Sequence, residues 1–438
     1  MSTTPPTRLP QTGSPAPVRS WQIAAWTLVL LAVGGQFAHA MIVGGLDFSV
    51  YRAGAATIFD TDGRGLDLYE RHLIHLGGDT YLPFTYPPFA ALLMLPFAVL
   101  PFFLGQALMV IFSMGVAWWV ASLIYDYADH RGVSIPFQNQ LGRHTTIAVL
   151  TVIILLSGPW RRGIALVQIN PLIMLLVLAD LIRPATRVPR GVLIGIAGGI
   201  KLTPLVFGLI PLVQRDWKGV LTLGGSFAGT VALGFLMLPH QAVTFWTEAI
   251  SDSSRVGNLN FVDNISTQGW LMHLTLTGRH DEMPNALLSI LHYGLIAVLL
   301  VGVAAVLPVL HRRGMWMSSV ALTAFLMLQM SPISWSHHNT WLPLIVAALC
   351  VDARPWLFSS PGASRSAAMV LGWVGIGGLY LSPLWLAIIV HQSTHGLDSV
   401  SRPGLILGAL PVVALYALVL LWIARAWRFR REAPAGSR

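Results

Sequence analysis

The chain of 438 residues is 55% hydrophobic and only 10% charged, with mean hydropathy +0.67 and a formal net charge of +9. A soluble chain carries roughly 25% charged residues, so a soluble globular fold is excluded. The basic residues sit in short clusters between apolar runs and at the two tails, as the positive-inside rule expects, so the positive charge is no sign of nucleic-acid binding.

Residues 1–20 are rich in Pro, Ser and Thr, carry Arg8 and Arg19, and read as a disordered cytoplasmic tail. Trp21 to Val43 is too long for a signal peptide and is read as a retained first helix. Further spans are predicted over 103–125, 218–238, 286–310, 315–332, 367–390 and 403–424. Weaker segments, interrupted by Pro or polar residues, lie at 87–101, 144–159, 163–182, 190–213 and 339–352. The expectation is an all-α polytopic membrane protein with about 12 transmembrane helices and room for re-entrant segments. The membrane domain runs over 21–427, with outer loops 44–86 and 239–284 and a cytoplasmic tail 428–438. The single cysteine, Cys350, allows no intrachain disulfide and no cysteine-based metal site.

Arg8, Arg19, His311-Arg312-Arg313 and the C-terminal arginines orient both tails to the cytoplasm. Residues 44–86, 239–284, 333–338 and 391–402 then share the outer face. One region resists simple alternation: the clusters Arg161-Arg162, Arg183 to Arg190, and Arg215 with Lys218 lie about one span apart. Either the rule fails at 183–190, or a pair of segments dips in and returns. Gly198 to Pro204 is a plausible apex for such a break, because Pro204 lacks a backbone donor and Lys201 cannot face lipid cheaply.

Asp47 follows the first span directly and carries the most information. It is either an interfacial acid that caps the next element or pairs with Arg52, or a general base, which must be held near an acceptor hydroxyl with a pKa near or below the working pH. If 47–58 is an interfacial helix, Tyr51 shares the face of Asp47. Tyr81 to Pro96 mixes aromatics with prolines, as an aromatic belt does; its functional reading gives Tyr86 and Pro87 the mouth of a sugar site. Gln168 and Asn170 serve as interhelical glue or as cavity lining. Lys201 either snorkels to an interface or supplies an ammonium for a phosphate. In the outer loop, Asp263, Asn264, Gln268, Trp270 and His273 are what a carbohydrate cradle uses, and also what interfacial loops use. His337 and His338 point to different sides of a helix and make a poor chelate, so no metal site is predicted. A hydrogen-bonding or phosphate role for one of them competes with a satisfied interfacial histidine.

Taken together, Asp47-Phe48-Ser49-Val50-Tyr51, Tyr86-Pro87-Pro88-Phe89, Gln168-Ile169-Asn170, Ile200 to Pro204 and Ser331 to His338 resemble, in order and spacing, the actinobacterial membrane mannosyltransferases of the GT-C class. The resemblance spans nearly the whole chain. It implies a GT-C type fold in the plasma membrane with its active site on the outer face. The donor would be polyprenyl-phosphate mannose and the acceptor a phosphatidylinositol mannoside glycolipid. The reaction would invert the donor to an α-1,2 mannoside, with Asp47 as base and no cofactor. Near the first loop the chain lacks the Asp-Asp or Glu-Asp doublet the class often carries, which favours metal-independent chemistry. His337, His338, Lys201 and Arg52 are the candidates for the donor phosphate. A lipomannan or lipoarabinomannan branching mannosyltransferase would share these motifs. A lipid-linked sugar flippase would need polar residues near the midplane and often shows internal repeats, and neither is evident; a non-catalytic scaffold fits the polar outer loops less well.

Overall fold

The structure is a computed structural model. It describes residues 18–431 apart from 61–62, 64, 71, 78–79, 184–186, 276–285, 359–362 and 391–399. Most of the predicted tails and the greater part of the predicted outer segment 391–402 lie outside the described residues.

Helix α1 (Val18–Val43) begins three residues inside the predicted tail and ends at the glycine pair Gly44-Gly45. The chain turns there into α2 (Leu46–Thr57), with Gly45 at φ +57°. A side chain at Gly45 would meet the Val167 Cγ2 at 2.8 Å, so glycine is required by close approach as well as by φ. α2 is the interfacial helix the spacing predicts. Its buried face carries Phe48, Tyr51 and Ala55, and Gly54 lets the Phe84 ring lie against its backbone. A small antiparallel hairpin, β1 (Ile74–Gly77) and β2 (Thr80–Leu82), follows.

α3 (Pro88–Val99) packs along α2 and does not cross as the weak segment 87–101 was predicted to. Its last carbonyls, Phe97 and Ala98, and that of Leu100 accept from Arg52 of α2, while its start follows Tyr86, which meets Tyr51 of the same helix. Both ends therefore lie against α2. The long α4 (Phe102–His130) then runs to the far face. After a short α5 (Gln138–Leu141), helix α6 (Arg143–Leu156) returns and breaks by 73° into α7 (Gly158–Leu166).

α8 (Asn170–Ile182) starts seven residues later than the predicted span 163–182, because the turn at Val167 intervenes. α9 (Val192–Ile200) stops at Lys201, and a 3-10 turn and α10 (Leu209–Val213) lead back. The predicted span 190–213 is thus a helix pair with its break at the Gly198–Pro204 apex. α11 (Trp217–Met237) is long and largely exposed on its flanks, as a lipid-facing helix is. α12 (Pro239–Thr244) and α13 (Thr267–Thr275) belong to the connection that follows.

α14 (Ala286–Arg312), α15 (Trp316–Met330), α16 (Leu342–Ala348) and the short α17 (Arg354–Leu357) complete the central bundle. The predicted span 367–390 is two helices, α18 (Ala363–Leu381) and α19 (Pro383–Val390), bent by 86° at Ser382-Pro383, where the proline ends the i to i−4 ladder. α20 (Arg402–Arg428) runs on through the predicted membrane boundary at 427. Among the described residues five helices are long and apolar enough to cross a membrane, or seven if each bent pair is one span. The chain is a multi-pass, all-α membrane protein.

Two polar faces organise the bundle. On one, α2, α7, the starts of α4 and α8, and the segment 331–341 converge. On the other, the loops around Arg190, Gln214 and His311 line one cavity, and Arg131 donates to the Arg313 carbonyl. Arg161-Arg162 lies on the first face with Asp47, whereas Arg183 to Arg190 and Arg215 with Lys218 lie on the second. The 73° bend between α6 and α7 thus holds Arg161-Arg162 on the Asp47 face, apart from the other two clusters.

A buried carboxylate ties the far face together. Asp352 accepts from the Tyr127 hydroxyl (2.7 Å) and the Ser318 hydroxyl (2.5 Å), and Arg131 lies 3.7 Å away. Removing it strands those donors and a cation, which typically costs about 3–5 kcal/mol. Asp352→Ala is expected to lower the melting temperature in detergent clearly, and Tyr127→Phe, which removes one hydrogen bond worth about 1 kcal/mol, much less. Unchanged melting in both would show that the knot contributes nothing.

Candidate active site

The polar residues singled out in five separate segments meet in one place. Tyr51, one helical turn after Asp47, places its hydroxyl 3.1 Å from Gln168 Oε1 and 3.2 Å from the Tyr86 hydroxyl. The two tyrosine rings meet edge to face. With Oε1 of Gln168 taken by Tyr51, its amide nitrogen faces His337 Nε2 at 3.2 Å, so that nitrogen accepts and the ring proton sits on Nδ1. The Asp47 carboxylate approaches the same Nε2 at 3.9 Å, too far for a hydrogen bond. Val167, just before Gln168, is held at φ +55°, a strained conformation for a β-branched residue, and this turn aims Gln168 inward.

Lys201 closes the other side. Its ammonium lies 3.4 Å from both Asn170 Oδ1 and His338 Nε2, and 5.7 Å over the Tyr86 ring. The His337 and His338 rings stand edge to face, 4.8 Å apart. A small cavity between Asn170, Lys201, Ser334, His338 and Trp341 adjoins the group.

The segment that carries the histidines is anchored from below. Asn264 spends its side chain on backbone: its amide donates to the Leu259 and Pro332 carbonyls, and its oxygen accepts from Ser266 and Ser334. Next to it the fully buried Asp263 pairs with Arg162 at 3.4 Å. Trp160 of the same helix donates to the Thr340 carbonyl, so α7 braces the turn from both ends.

The electrostatics follow from this packing. Asp47 lies outside the spanning helices, with 22% of its side chain exposed. Burial raises its pKa to about 7, against the opposing pull of Lys201 and then Arg162. His337 and His338 are pushed well below the usual histidine value, by burial first and then by neighbouring charge: Arg162 and Lys201 for His337, Lys201 and His337 for His338. Both are therefore neutral hydrogen-bonding groups, and the cations beside Asp47 are Lys201 and Arg162.

Several sequence expectations change accordingly. Asp47, Tyr51, Tyr86, Gln168, Asn170, Lys201, His337 and His338 come together. Arg52 does not: its Nε and Nη2 donate to the Phe97, Ala98 and Leu100 carbonyls, which ties its guanidinium to the end of α3 rather than to Asp47. Asn264 is a backbone clasp, and a sugar-binding role is corrected on that ground. Gln268 sits half-buried in the first turn of α13. Arg162 was missed because the Arg161-Arg162 pair read only as a topology signal. Its one sequence clue was its place in an interrupted apolar segment, where a cation needs a partner. Among the described residues no group of three or more His, Cys, Asp or Glu is arranged to hold a metal ion.

Comparison with known proteins agrees with a transferase. Residues 84–332 match glycosyltransferase family 87. A protein of Mycolicibacterium smegmatis named polyprenol-phosphate-mannose-dependent alpha-(1-2)-phosphatidylinositol pentamannoside mannosyltransferase is 29% identical over 411 residues, which cover 91% of this chain and 88% of that one. A Mycobacterium tuberculosis protein named polyprenol-phosphate-mannose-dependent alpha-(1-2)-phosphatidylinositol mannoside mannosyltransferase is 31% identical over 360 residues, 80% of each chain. No solved structure matches significantly. With more than half of its length matched by the family and relatives aligned along most of the rest, the chain belongs to glycosyltransferase family 87.

Proposed function

We propose that this protein transfers mannose from polyprenyl-phosphate mannose to a phosphatidylinositol mannoside, forming an α-1,2 linkage on the outer face of the plasma membrane. The observation that carries the reading is the half-buried Asp47 carboxylate, flanked by Lys201 and Arg162 and braced by the Tyr51–Gln168–His337 chain. The names of the aligned relatives supply the substrate classes. The finer fold assignment, a GT-C architecture in which α3 and the α9–α10 pair do not cross, belongs to the same proposal.

In this mechanism an acceptor hydroxyl attacks the anomeric carbon of the donor mannose from the side opposite the phosphate. The bond from that carbon to the phosphate oxygen breaks, its electron pair leaves with the polyprenyl phosphate, and Asp47 takes the hydroxyl proton. A phosphate is a good leaving group, so the protein supplies mainly a base, orientation and charge for the phosphate. Lys201 and Arg162 are the cations for that charge. His338, whose Nε2 faces Lys201, keeps Nδ1–H to donate to a phosphate oxygen. Tyr51, Tyr86, Gln168 and Asn170 hold these groups in register. The proposed mechanism uses no metal ion, with Lys201 and Arg162 supplying the positive charge for the leaving phosphate.

Asp47→Asn keeps the shape and cannot accept the proton, and loss of a general base costs ~10²–10⁴-fold. Mannosyl transfer by the purified variant is expected to fall in that range with acceptor binding retained; turnover within twofold of the parent would remove Asp47 from this role.

The base must be ionised, so kcat/KM is expected to rise with pH through about 7 and level above it. Lys201 and Arg162 both favour the ionised form, so Lys201→Met or Arg162→Gln should move this limb to higher pH, whatever it does to the plateau. A limb that stays in place in both variants argues that another group titrates.

Transfer assayed in excess chelator is expected to keep most of its rate. Loss of activity that Mg²⁺ or Mn²⁺ restores would overturn the metal-free reading.

A further inference from the structure

The face opposite Asp47 holds a second built site that the transfer reaction does not use. α8 and α9 each run from the active-site cluster to this face: α8 from Asn170 to Asp180, and α9 from its break at Lys201 back to Gly191. Here a cavity of about 230 Å³ opens, against about 30 Å³ for the one beside Lys201. Its floor is apolar, formed by Ile194, Ile210, Pro211 and Val320. Its mouth carries Arg190, Gln214, Asp216 and His311, with Trp316 on one wall.

The mouth is rigid. Asp180, 1% exposed, accepts from the backbone nitrogens of Gly191 (2.9 Å) and Ile194 (3.0 Å) and pairs with Arg183 at 3.0 Å, so its charge is spent within the protein. Gly191, at φ +96°, presses so close to α11 that a side chain there would meet the Gly219 carbonyl at 2.4 Å. The Thr222 hydroxyl donates to the Arg190 carbonyl and fixes the backbone that presents the guanidinium.

Charge and apolar surface meet at this mouth in the way an amphiphile requires. Arg190 is exposed, and the loops that supply the lining add exposed Arg187, Arg215, Lys218 and Arg312 around it. Against them stand Asp216, which caps Gly219 of α11, and the neutralised Asp180. On the side of α10 and α11 the surface is apolar and exposed, with Leu212 45%, Trp217 59% and Leu221 74% accessible. A soluble anion would have no use for that flank, and an acyl chain would lie along it.

We propose that this cavity binds the headgroup of an anionic phospholipid from the leaflet opposite Asp47, with Arg190 and His311 on its phosphate and the glycerol end over Ile194, Ile210 and Val320. The lipid would wedge the α8–α9 and α10–α11 loops together at the end of the helices that hold Asn170 and Lys201. Basic groups at a membrane surface each contribute about a fivefold preference for an anionic lipid.

Native mass spectrometry of the purified full-length protein tests this, with phosphatidylglycerol and phosphatidylcholine added in equal amounts. One phosphatidylglycerol is expected to remain bound in preference to phosphatidylcholine. Arg190→Gln should weaken that preference about fivefold, and Arg190→Gln with His311→Gln should weaken it further. Both side chains are exposed and outside the catalytic cluster, so both variants should stay monodisperse and still transfer mannose. Equal retention of the two lipids in the parent protein, or an unaltered phosphatidylglycerol adduct in the double variant, would overturn the proposal. So would displacement of the lipid by millimolar inorganic phosphate, which would mark a site for free phosphate only.

Discussion

The ammonium of Lys201 is the constraint from which the active-site face is built. A lone cation at a helix break among apolar segments is costly unless it finds partners. Lys201 finds them in Asn170 at the start of α8, in His338 after α15, and in the face of Tyr86 before α3. Each of these is at an element end, where backbone groups also lack intrahelical partners. The broken helix α9–α10, the turn at Val167 and the 3-10 turn at Ser336–His338 are therefore one device seen from three segments. They bring irregular backbone and polar side chains together, so that neither is left facing lipid.

The same economy explains why the histidines are neutral. Burial disfavours a charged imidazole first, and neighbouring charge adds to it, from Arg162 and Lys201 for His337 and from Lys201 for His338. Their value lies in directed hydrogen bonds. His337 receives from Gln168 and His338 from Lys201, so each keeps a defined tautomer with Nδ1 protonated. Asp47 is held near neutrality by the opposite balance: burial raises it, and the same two cations limit the rise. A carboxylate so placed is partly ionised near neutral pH and basic enough to take a proton.

Rigidity comes from outside the cluster. Asn264 and the Arg162–Asp263 pair anchor the loop before α13 to the histidine segment, and Arg52 ties α2 to the end of α3. These polar residues look functional in a sequence because charges and amides are scarce in membrane segments. Their partners are mostly backbone carbonyls and amides, which no side-chain pattern reveals.

The sequence by itself determined the class, a polytopic helical membrane protein, because hydropathy at the scale of a span is a local property. It also marked Asp47, Tyr51, Gln168, Asn170, Lys201 and the His337-His338 pair, since each is a polar group set in or beside apolar chain and needs a reason to be there. It placed the break at Gly198–Pro204 from the chemistry of glycine, proline and lysine alone. Tertiary structure decided the rest. Whether a short apolar segment crosses or lies flat depends on what its ends touch, so the sequence alone does not show that 87–101 lies along α2 or that 367–390 bends by 86° at Ser382-Pro383. Which face of the bundle Arg162 occupies depends on the bend between α6 and α7, and its pairing with Asp263 joins residues about a hundred positions apart in the chain. Arg52 and Asn264 lost their proposed ligands for the same reason: a side chain's role is set by the atoms within 3.5 Å of it, and those come from elsewhere in the chain.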